Sequence, residues 1–490
     1  MAIAGWVGQV IEGIPAWGVV VIALAVLCML ALLYHVRSHL VSVWEAVRTS
    51  FWFVPGLMVI GAIGLSAGLI GLEGKINPEA ARNIRWLWTG GPEAARGILS
   101  TIATSMVTIA GVVFSITMVV LALVSNQFGP RLMRNFREDK GNQLVLGTFT
   151  ATFVYCLLVL RKVVNGPGPE FVPYISIAVA IILALVNIAV LIYFIHHVAV
   201  MTQAPYVVSL VSDDLSRAIN QLFPEELGQE LGEPGQDPPE VDLNAFDAEA
   251  GRIVAPSSGY LLAVDADALM DIVASEDIVV HLRYRPGDFV FENSILATAQ
   301  PKDRVNQTLA ARVHRVFILG RQRSPLQDVE FGVRQLVEIA VRALSPGIND
   351  PFTAMTCADH LGVALRRIAS RKIPSSYRYD ASKKLRVIAD AVTFKRITEE
   401  AFNPIRQYGR SSPTVSLRLL ETLTVIAKSL VRRADRLALQ RQAFAIRQHK
   451  HGYLHIDQQA IERQYQDFLA ALGRDGSAVD QTKISAGARI

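Results

Sequence analysis

The sequence has little charge and few cysteines for its length. Only 19% of its 490 residues are Asp, Glu, Lys or Arg, whereas 51% are hydrophobic, and the mean hydropathy is +0.33. The three cysteines, Cys28, Cys156 and Cys357, show no spacing typical of a metal knuckle or a disulfide framework, so we expect them to be small core residues. A composition this apolar predicts that part of the chain lies in lipid.

The sequence also lacks the motifs that mark common enzymes. It contains no phosphate-binding loop, no nucleophile elbow, no HExxH and no pair of carboxylates at a catalytic spacing. We therefore expect neither enzymatic activity nor a cofactor. The net charge of +5 is modest for this length, and it gives no reason to expect a nucleic-acid partner.

Five uncharged segments are long enough to cross a bilayer, whose hydrocarbon core needs about 20 apolar residues in a helix. They lie at 17–36, 51–72, 105–124, 144–160 and 172–195. None has an acidic or basic residue in its interior, where one such charge would cost roughly 2.5–3.5 kcal/mol. Residues 1–200 are therefore predicted to form a transmembrane domain of about five helices.

Basic residues in the short loops predict the orientation of these helices. Arg37 and Arg48 follow the first segment, and a longer basic loop follows the third, with Arg131, Arg134, Arg137 and Lys140. Because Lys and Arg concentrate in cytoplasmic loops, we expect a bacterial inner-membrane protein with its N-terminus outside and everything after residue 196 in the cytoplasm. Apolar residues between these arginines favour a short amphipathic helix that binds anionic lipid headgroups, at about 1 kcal/mol per basic residue. Alternatively, the charges serve orientation alone.

Four stretches of the sequence resemble a known family. They are "SFWFVPGLM", "SITMVVLALVSNQFGPRLMRNFREDKGNQLVLGTFTATFVYCLLVLR", "IYFIHHVA" and "RALSPGINDPFTA". They are similar to a bacterial membrane-protein family catalogued as domain of unknown function 2254, and the resemblance covers roughly residues 45–430. It implies several N-terminal spans and a cytosolic remainder, and it implies no established activity.

Small and hydroxylated residues form a single face of the third predicted span. This small-residue stripe follows steps of three and four. Its members are Thr101, Thr104, Thr108, Gly111, Ser115, Met118, Ala122 and Ser125, of which Met118 is the only large residue. One interpretation is a tight helix–helix seam, for which Gly147 and Ala151 in the fourth span offer a partner surface. The other is a pore-lining face in a homo-oligomer, with Met118 at the narrow point.

Other polar residues lie within or at the ends of the spans. Asn187, near the middle of the fifth span, could bond to a neighbouring helix or contact a permeating solute. The pairs His35/His39 and His196/His197 fall at one predicted depth, where four imidazoles could sense pH or bind a metal. Histidines are also ordinary at the membrane interface.

The second half of the chain alternates polar and apolar residues like a soluble protein. We predict a connector with an acidic Pro/Gly linker at 201–245, a β-rich module at 246–305, a helical domain at 306–473 and a disordered tail at 474–490. The β-rich module is similar to the barrel-sandwich fold of biotinyl and lipoyl carriers, although the carrier lysine is missing. The fold class expected is therefore an α-helical polytopic membrane domain followed by a cytoplasmic α+β region.

Two features of the predicted helical domain can be placed in detail. The apolar face of the helix after Gln327 contains Val329 and Val333, and its polar face contains Glu330. The turn "SPGINDP" follows, where Asp350 is expected to cap a helix that begins at the adjacent proline. Asn349 and Asp350 could also contact a ligand.

Two functional hypotheses from different classes fit these observations. The first is a homo-oligomeric channel or permeation protein, whose cytoplasmic domain assembles or gates it. The second is a membrane-anchored sensor or scaffold, whose spans only pack and whose cytoplasmic domain binds a ligand or partner. Packing seams are the commoner use of such a stripe, and of the two functional hypotheses we favour the channel.

Overall fold

A computed structural model describes residues 52–73, 91–129, 136, 139–163, 172–223, 242–323, 327–371, 373 and 375–473. The chain forms two compact units. The first contains residues up to Ala122 together with Met133–Ala199, and the second contains Leu123–Leu132 and Val200–Ile490. The first predicted span, most of the acidic linker and the predicted disordered tail lie outside the described residues.

The first unit contains four helices that are long and apolar enough to cross a membrane, counting only the described residues. They are α1 (Phe53–Glu73), α2 (Pro92–Phe128), α3 (Lys140–Leu160) and α4 (Tyr174–Met201). They coincide with the four predicted spans after residue 50, and a fifth span is not confirmed. At about 1.5 Å per residue, the 37 residues of α2 extend about 55 Å, well beyond the roughly 30 Å of a bilayer core.

Helix α3 is the most buried of the four helices. Half of its most apolar stretch is buried, compared with only 11% of that of α2. Gly147 allows the close approach of α1, because a Cβ atom there would lie 2.6 Å from the Met58 sulfur and 3.1 Å from Pro55 Cα. On α2, Leu99 packs in the same core as Tyr155 of α3. The bundle is therefore organised around α3, and α2 contributes one narrow face.

The second unit contains ten further α-helices among the described residues. They are α5 (Ala204–Leu222), α6 (Leu243–Glu249), α7 (Ala266–Ser275), α8 (Gln307–Val316), α9 (Val329–Ala343), α10 (Pro351–Ala369), α11 (Phe394–Tyr408), α12 (Pro413–Ala427), α13 (Arg433–Gln448) and α14 (His455–Leu472). Most begin at a polar cap, because an unpaired N-terminal amide needs an acceptor. Asp328, for example, accepts from the Phe331 amide at 3.0 Å. Phe394, Phe402 and Leu420 are fully buried within this helical part.

Two sheets lie in the second unit, among the described residues. The strands are β1 (Gly251–Val254), β2 (Gly259–Val264), β3 (Val279–Leu282), β4 (Phe289–Val290), β5 (Ile295–Gln300), β6 (Phe317–Gly320), β7 (Tyr377–Tyr379) and β8 (Leu385–Ala389). One sheet has the order β1-β5-β3-β8-β7, with β3 and β8 parallel, and the other has the order β4-β2-β6. The barrel-sandwich fold is not confirmed, and three strands, β6, β7 and β8, lie beyond the module predicted at 246–305.

The end of α2 belongs to the second unit, where it is held against α9. The Arg342 guanidinium donates to the Asn126 carbonyl at 2.9 Å. Gly129 has φ +111°, and a Cβ atom there would lie 2.5 Å from the Glu338 carboxylate. The left-handed backbone is the reason for glycine here, since the Glu338 carboxylate is the end of a flexible side chain and could move aside.

Candidate functional site

The small-residue stripe faces outward from the single chain. All of its members are exposed except Ser125, which is half-buried. The opposite face of α2 is the one that packs, and there Leu99, Ala103 and Val113 are buried. A Cβ atom at Gly111 would meet nothing within 4 Å. Contrary to the seam expected within one chain, the stripe does not pack on α3 or α4 in the described part of the chain.

The hydroxyl groups of the stripe differ in whether they are hydrogen-bonded within the chain. Thr101 Oγ1 donates to the Gly97 carbonyl at 2.8 Å, and Thr108 Oγ1 donates to the Thr104 carbonyl at 2.8 Å. These internal bonds satisfy both donors and lower the cost of placing them in an apolar medium. The hydroxyls of Thr104 and Ser115 make no hydrogen bond to any residue that the structure describes. They remain available to another molecule.

Gly147 and Ala151 are helix-packing residues, as the seam interpretation expects. They pack on α1, however, and not on the small-residue stripe of α2. Ala151 shares a buried cluster with Ala62 of α1. Gly147 is the point of closest approach to Pro55 and Met58. A small-residue seam therefore exists in the bundle, and it joins α3 to α1.

Asn187 joins α4 to α3. Its Nδ2 donates to Thr152 Oγ1 at 2.8 Å and to the Leu183 carbonyl at 2.7 Å, and the residue is only 1% exposed. Its Oδ1 is buried and has no hydrogen-bond partner among the described residues. The amide side chain thus lies inside the bundle, away from the outward-facing stripe, and makes the interhelical bond expected of an asparagine in a membrane helix.

His197 is paired with an acid at the start of α3. Its Nε2 lies 2.9 Å from Asp139 Oδ2, and the same oxygen accepts from the Asn142 amide at 2.8 Å as the N-cap of α3. The imidazole stacks on Tyr193, with ring centroids 5.3 Å apart. A Cβ atom at position 141 would lie 2.6 Å from Nε2, which explains the glycine there. The imidazole therefore joins the end of α4 to the cap of α3.

The other residues predicted around this end of the membrane are dispersed or outside the described part of the chain. His196 is exposed, and His35 and His39 lie outside the described residues. Of the basic loop, Arg131, Arg134 and Arg137 also lie outside them, whereas Lys140 is the exposed first residue of α3. Within the described ranges no group of three or more His, Cys, Asp or Glu side chains could hold a metal.

Glu73 forms a link that the sequence did not reveal. Its carboxylate accepts hydrogen bonds from the amides of Ile175 and Ser176 and, at 2.6 Å, from Ser176 Oγ, at the N-terminus of α4. The Ser176 carbonyl in turn accepts from the Tyr155 hydroxyl at 2.9 Å. A carboxylate at this end of a helix also compensates the helix dipole. The Glu73 carboxylate thus joins α1 to α4, and the Ser176 carbonyl joins α4 to α3.

Removing the Glu73 carboxylate should loosen the bundle. Glu73→Ala leaves two amides and one hydroxyl without their charged acceptor, so we expect a loss of about 2–3 kcal/mol in the free energy of unfolding. Equilibrium unfolding of the detergent-solubilised chain in dodecyl sulfate measures it. Glu93→Ala, at an exposed position in the first turn of α2, is the matched control and should change stability by less than about 0.5 kcal/mol. Equal losses in the two variants would contradict the role given to Glu73.

The turn "SPGINDP" is explained by backbone geometry. Asp350 Oδ1 accepts from the Thr353 amide at 3.1 Å and Oδ2 from Thr353 Oγ1 at 2.5 Å, and Pro351 is the first residue of α10, as expected. Asn349 has φ +50°, a left-handed conformation that asparagine tolerates better than most residues. The Asn349 amide donates to the Ser345 carbonyl at 2.9 Å. Both residues therefore have structural roles in the turn.

Glu330 is buried, although the helical pattern predicted it on the polar face of α9. It is only 3% exposed and lies 2.8 Å from Arg396 Nε, 3.4 Å from Arg285 Nη2 and 3.7 Å from Arg323 Nη2. Burial raises its pKa, against the lowering effect of the arginines. Glu330 thus belongs to an internal ion-pair network, whereas Arg334, Glu338 and Arg342 on the same predicted face are partly exposed.

Asp247 organises a second polar cluster that the sequence did not reveal. It accepts from Thr298 Oγ1 at 2.6 Å, lies 3.0 Å from His281 Nδ1 and pairs with Arg283. Both Thr298 and His281 are almost fully buried. Partial burial alone would raise the pKa of Asp247, but the hydrogen bonds from Thr298 and His281 and the nearby positive charges lower it on balance. The ionised carboxylate therefore holds α6 on the larger sheet.

The lowered pKa of Asp247 predicts that the contact between α6 and the larger sheet loses stability in acid. Because the folded-state pKa of Asp247 is lowered, its stabilisation is present above the unfolded pKa of about 3.9 and is lost as the pH falls through the folded value. Relative to the intrinsic exchange rate at each pH, the amide hydrogens of strand β5 should therefore lose protection as the pH falls, and Asp247→Asn should flatten that dependence. Asp271→Asn, on the exposed side of α7, should retain the wild-type dependence. An unchanged profile in Asp247→Asn would contradict the assignment.

Comparisons with known proteins agree with the membrane architecture. The family model described as "Predicted membrane protein (DUF2254)" matches residues 48–425. An uncharacterized protein of Mycobacterium bovis is 32% identical over 412 residues, which cover 82% of this chain and 76% of that protein. An uncharacterized protein of Mycobacterium tuberculosis strain H37Rv matches with the same identity and coverage. No solved structure matches the chain.

Proposed function

This chain belongs to the DUF2254 family of predicted membrane proteins, and we propose that it forms a homo-oligomeric channel or permeation protein. Copies of the chain meet along α2, with the small-residue stripe turned towards the axis of the oligomer. The second unit, in which α2 ends, serves assembly or gating. The observation that carries this proposal is the exposure of the stripe on the least buried of the four membrane helices.

The physical argument concerns what could cover that face. Lipid chains gain nothing from contact with hydroxyls or with a glycine backbone, whereas a second helix can approach small residues closely and exchange hydrogen bonds with Thr and Ser. Polar side chains inside a membrane usually face a protein interior or water. In an assembly around α2, Thr104 and Ser115 supply free hydroxyls, and Met118, which is 50% exposed, supplies a hydrophobic constriction.

Orientation and lipid contacts form part of the same proposal. The N-terminus lies outside a bacterial inner membrane, and the second unit lies in the cytoplasm. Lys140, together with Arg131, Arg134 and Arg137, contacts anionic lipid headgroups. The basic loops of the sequence support this arrangement, because they favour the cytoplasmic side. We assign the protein no enzymatic activity and no cofactor.

Ion flux through reconstituted vesicles tests the proposal. The purified chain, with Cys28 replaced, is placed in vesicles of phosphatidylcholine and phosphatidylglycerol, and Ser115→Cys is treated with a charged methanethiosulfonate reagent. Flux through this variant should change after modification, because the new charge lies on the stripe. Ile116→Cys, on a neighbouring face of α2, should be unaffected.

Two results would count against a channel. If intact oligomers carry no flux under any voltage, membrane tension or pH, the channel proposal is wrong and only the scaffold hypothesis stands. Flux that responds to modification of Ile116→Cys and not of Ser115→Cys would place the conduction path away from the stripe.

A further inference from the structure

Three basic side chains of the second unit form a cluster that lacks an acidic partner. They are Arg406 in the last turn of α11, Arg410 in the loop before α12, and His449 directly after α13. We call them the cationic cluster. None of the three forms an ion pair with an Asp or Glu among the residues that the structure describes. A group of positive charges without a counter-charge needs an explanation, since each such charge is costly to remove from water.

The contacts of Arg406 leave part of its guanidinium unused. Its Nη1 lies 2.9 Å from His449 Nε2, and its Nη2 donates to Asn403 Oδ1 at 3.4 Å. The Nε atom is buried and has no hydrogen-bond partner in the described part of the chain. A buried guanidinium donor without an acceptor is uncommon in folded proteins, where buried polar atoms are nearly always paired.

The electrostatics agree with a missing negative charge. The pKa of His449 is lowered by its burial and by the charges of Arg406 and Arg410. Burial also lowers the pKa of Arg406. A neighbouring arginine of the same unit has the opposite shift. Arg447, two positions before His449, pairs with Glu462 at 2.9 Å, and its pKa is raised. The chain thus supplies a carboxylate to that neighbouring arginine and none to the cationic cluster.

The loop that carries Arg410 is fixed in place. The Tyr453 hydroxyl donates to the Arg410 carbonyl at 2.7 Å, and it lies 2.9 Å from Ser416 Oγ. Gly409 allows the turn, because a Cβ atom there would lie 2.8 Å from the Ile405 carbonyl oxygen. The backbone at Arg410 is therefore held by Tyr453, and the charge of Arg410 is close enough to His449 to lower the pKa of its imidazole.

We propose that the cationic cluster binds a phosphoryl oxyanion. Two guanidinium groups offer planar sets of N–H donors that match phosphate oxygens, and the imidazole, whose Nε2 accepts from Arg406 Nη1, offers its Nδ1–H as a third donor. The anion supplies the counter-charge that Arg406 lacks among the described residues. Tyr408, Leu454 and Ile456 are exposed close by in the sequence, so the phosphoryl group can belong to a free phosphate compound or to a lipid headgroup.

Thermal unfolding of the full-length chain in detergent tests this site. Inorganic phosphate is titrated against chloride at equal ionic strength, and the wild type should show a saturable rise in Tm. In Arg406→Met and Arg410→Met the apparent affinity should fall at least about tenfold. Arg441→Met, which removes an exposed positive charge from α13, is the matched control and should keep the wild-type affinity.

The phosphate-free Tm separates binding from a purely structural role. If Arg406 awaits an anion, Arg406→Met should unfold at the same temperature as the wild type or higher without phosphate, because an unpaired buried charge has been removed. A marked fall in that Tm together with an unchanged phosphate response would overturn the proposal. So would the absence of any phosphate response in the wild type.

Vesicles distinguish the two sources of the phosphoryl group. Protein in phosphatidylcholine is compared with protein in phosphatidylcholine that contains phosphatidic acid. A Tm rise with phosphatidic acid that is lost in Arg406→Met identifies a lipid headgroup. A rise with soluble phosphate alone identifies a free phosphate compound. A rise with phosphatidic acid that persists in both arginine variants would overturn the site.

Discussion

Gly147→Leu should strongly destabilise the membrane bundle. The added Cβ atom would lie 2.6 Å from the Met58 sulfur and 3.1 Å from Pro55 Cα, and only the thioether can move aside. The other three carbons of leucine then force α1 away from α3, the most buried helix of the bundle. Overpacking of this kind costs about 3 kcal/mol, roughly a hundredfold in the folding equilibrium. Equilibrium unfolding in dodecyl sulfate measures the loss.

A matched glycine on α1 controls for the added side chain itself. Gly64 is exposed, and a Cβ atom there meets nothing within 4 Å, so Gly64→Leu adds the same carbons without a clash. We expect its stability to stay within about 0.5 kcal/mol of the wild type. If Gly147→Leu were as stable as Gly64→Leu, the close contact between α1 and α3 would be wrong.

Gly111→Leu should separate the copies of the chain without unfolding any of them. Position 111 is open within the single chain, so the substitution leaves the protomer folded. On the proposed contact, however, the leucine prevents the close approach of two α2 helices. We expect the dissociation constant of the oligomer to rise at least about tenfold, equivalent to about 1.4 kcal/mol. Light scattering of the purified chain in detergent measures the assembled mass.

The same two controls make this outcome interpretable. Gly64→Leu should remain assembled and as stable as the wild type, and Gly147→Leu should be strongly destabilised. Gly111→Leu should differ from both, since its unfolding curve matches the wild type while its mass falls. Full assembly in Gly111→Leu would remove the stripe from the subunit contact.

The sequence was sufficient for the positions of the membrane helices but not for their buried faces. Four uncharged segments became α1 to α4, because length and the absence of charge decide whether a helix crosses a bilayer. Which side of a helix packs cannot be inferred in the same way, since lipid is as apolar as a protein core. The stripe of α2 accordingly faces outward, and Val113 on another face is buried.

Polar contacts between distant parts of the chain were the least predictable. Glu73 immediately follows an apolar segment and looks like an ordinary loop acid, yet it caps a helix about 100 residues later. Glu330 followed the helical polar pattern, but arginines from three other parts of the chain surround it. Asp350 was predictable because its partner, Thr353, lies three residues away. Local capping can be recognised in a sequence, whereas a pairing created by the fold cannot.

Disulfide cross-linking along α2 tests the central claim, that the outward stripe meets another copy of the chain. Single cysteines are introduced at Thr108, Ser115, Val113 and Ile116 in a chain that lacks Cys28, and the protein is oxidised in native membranes. The account predicts dimer-sized products for Thr108→Cys and Ser115→Cys and none for Val113→Cys or Ile116→Cys. Cross-linking through Ile116→Cys, with the two stripe positions unreactive, would contradict it.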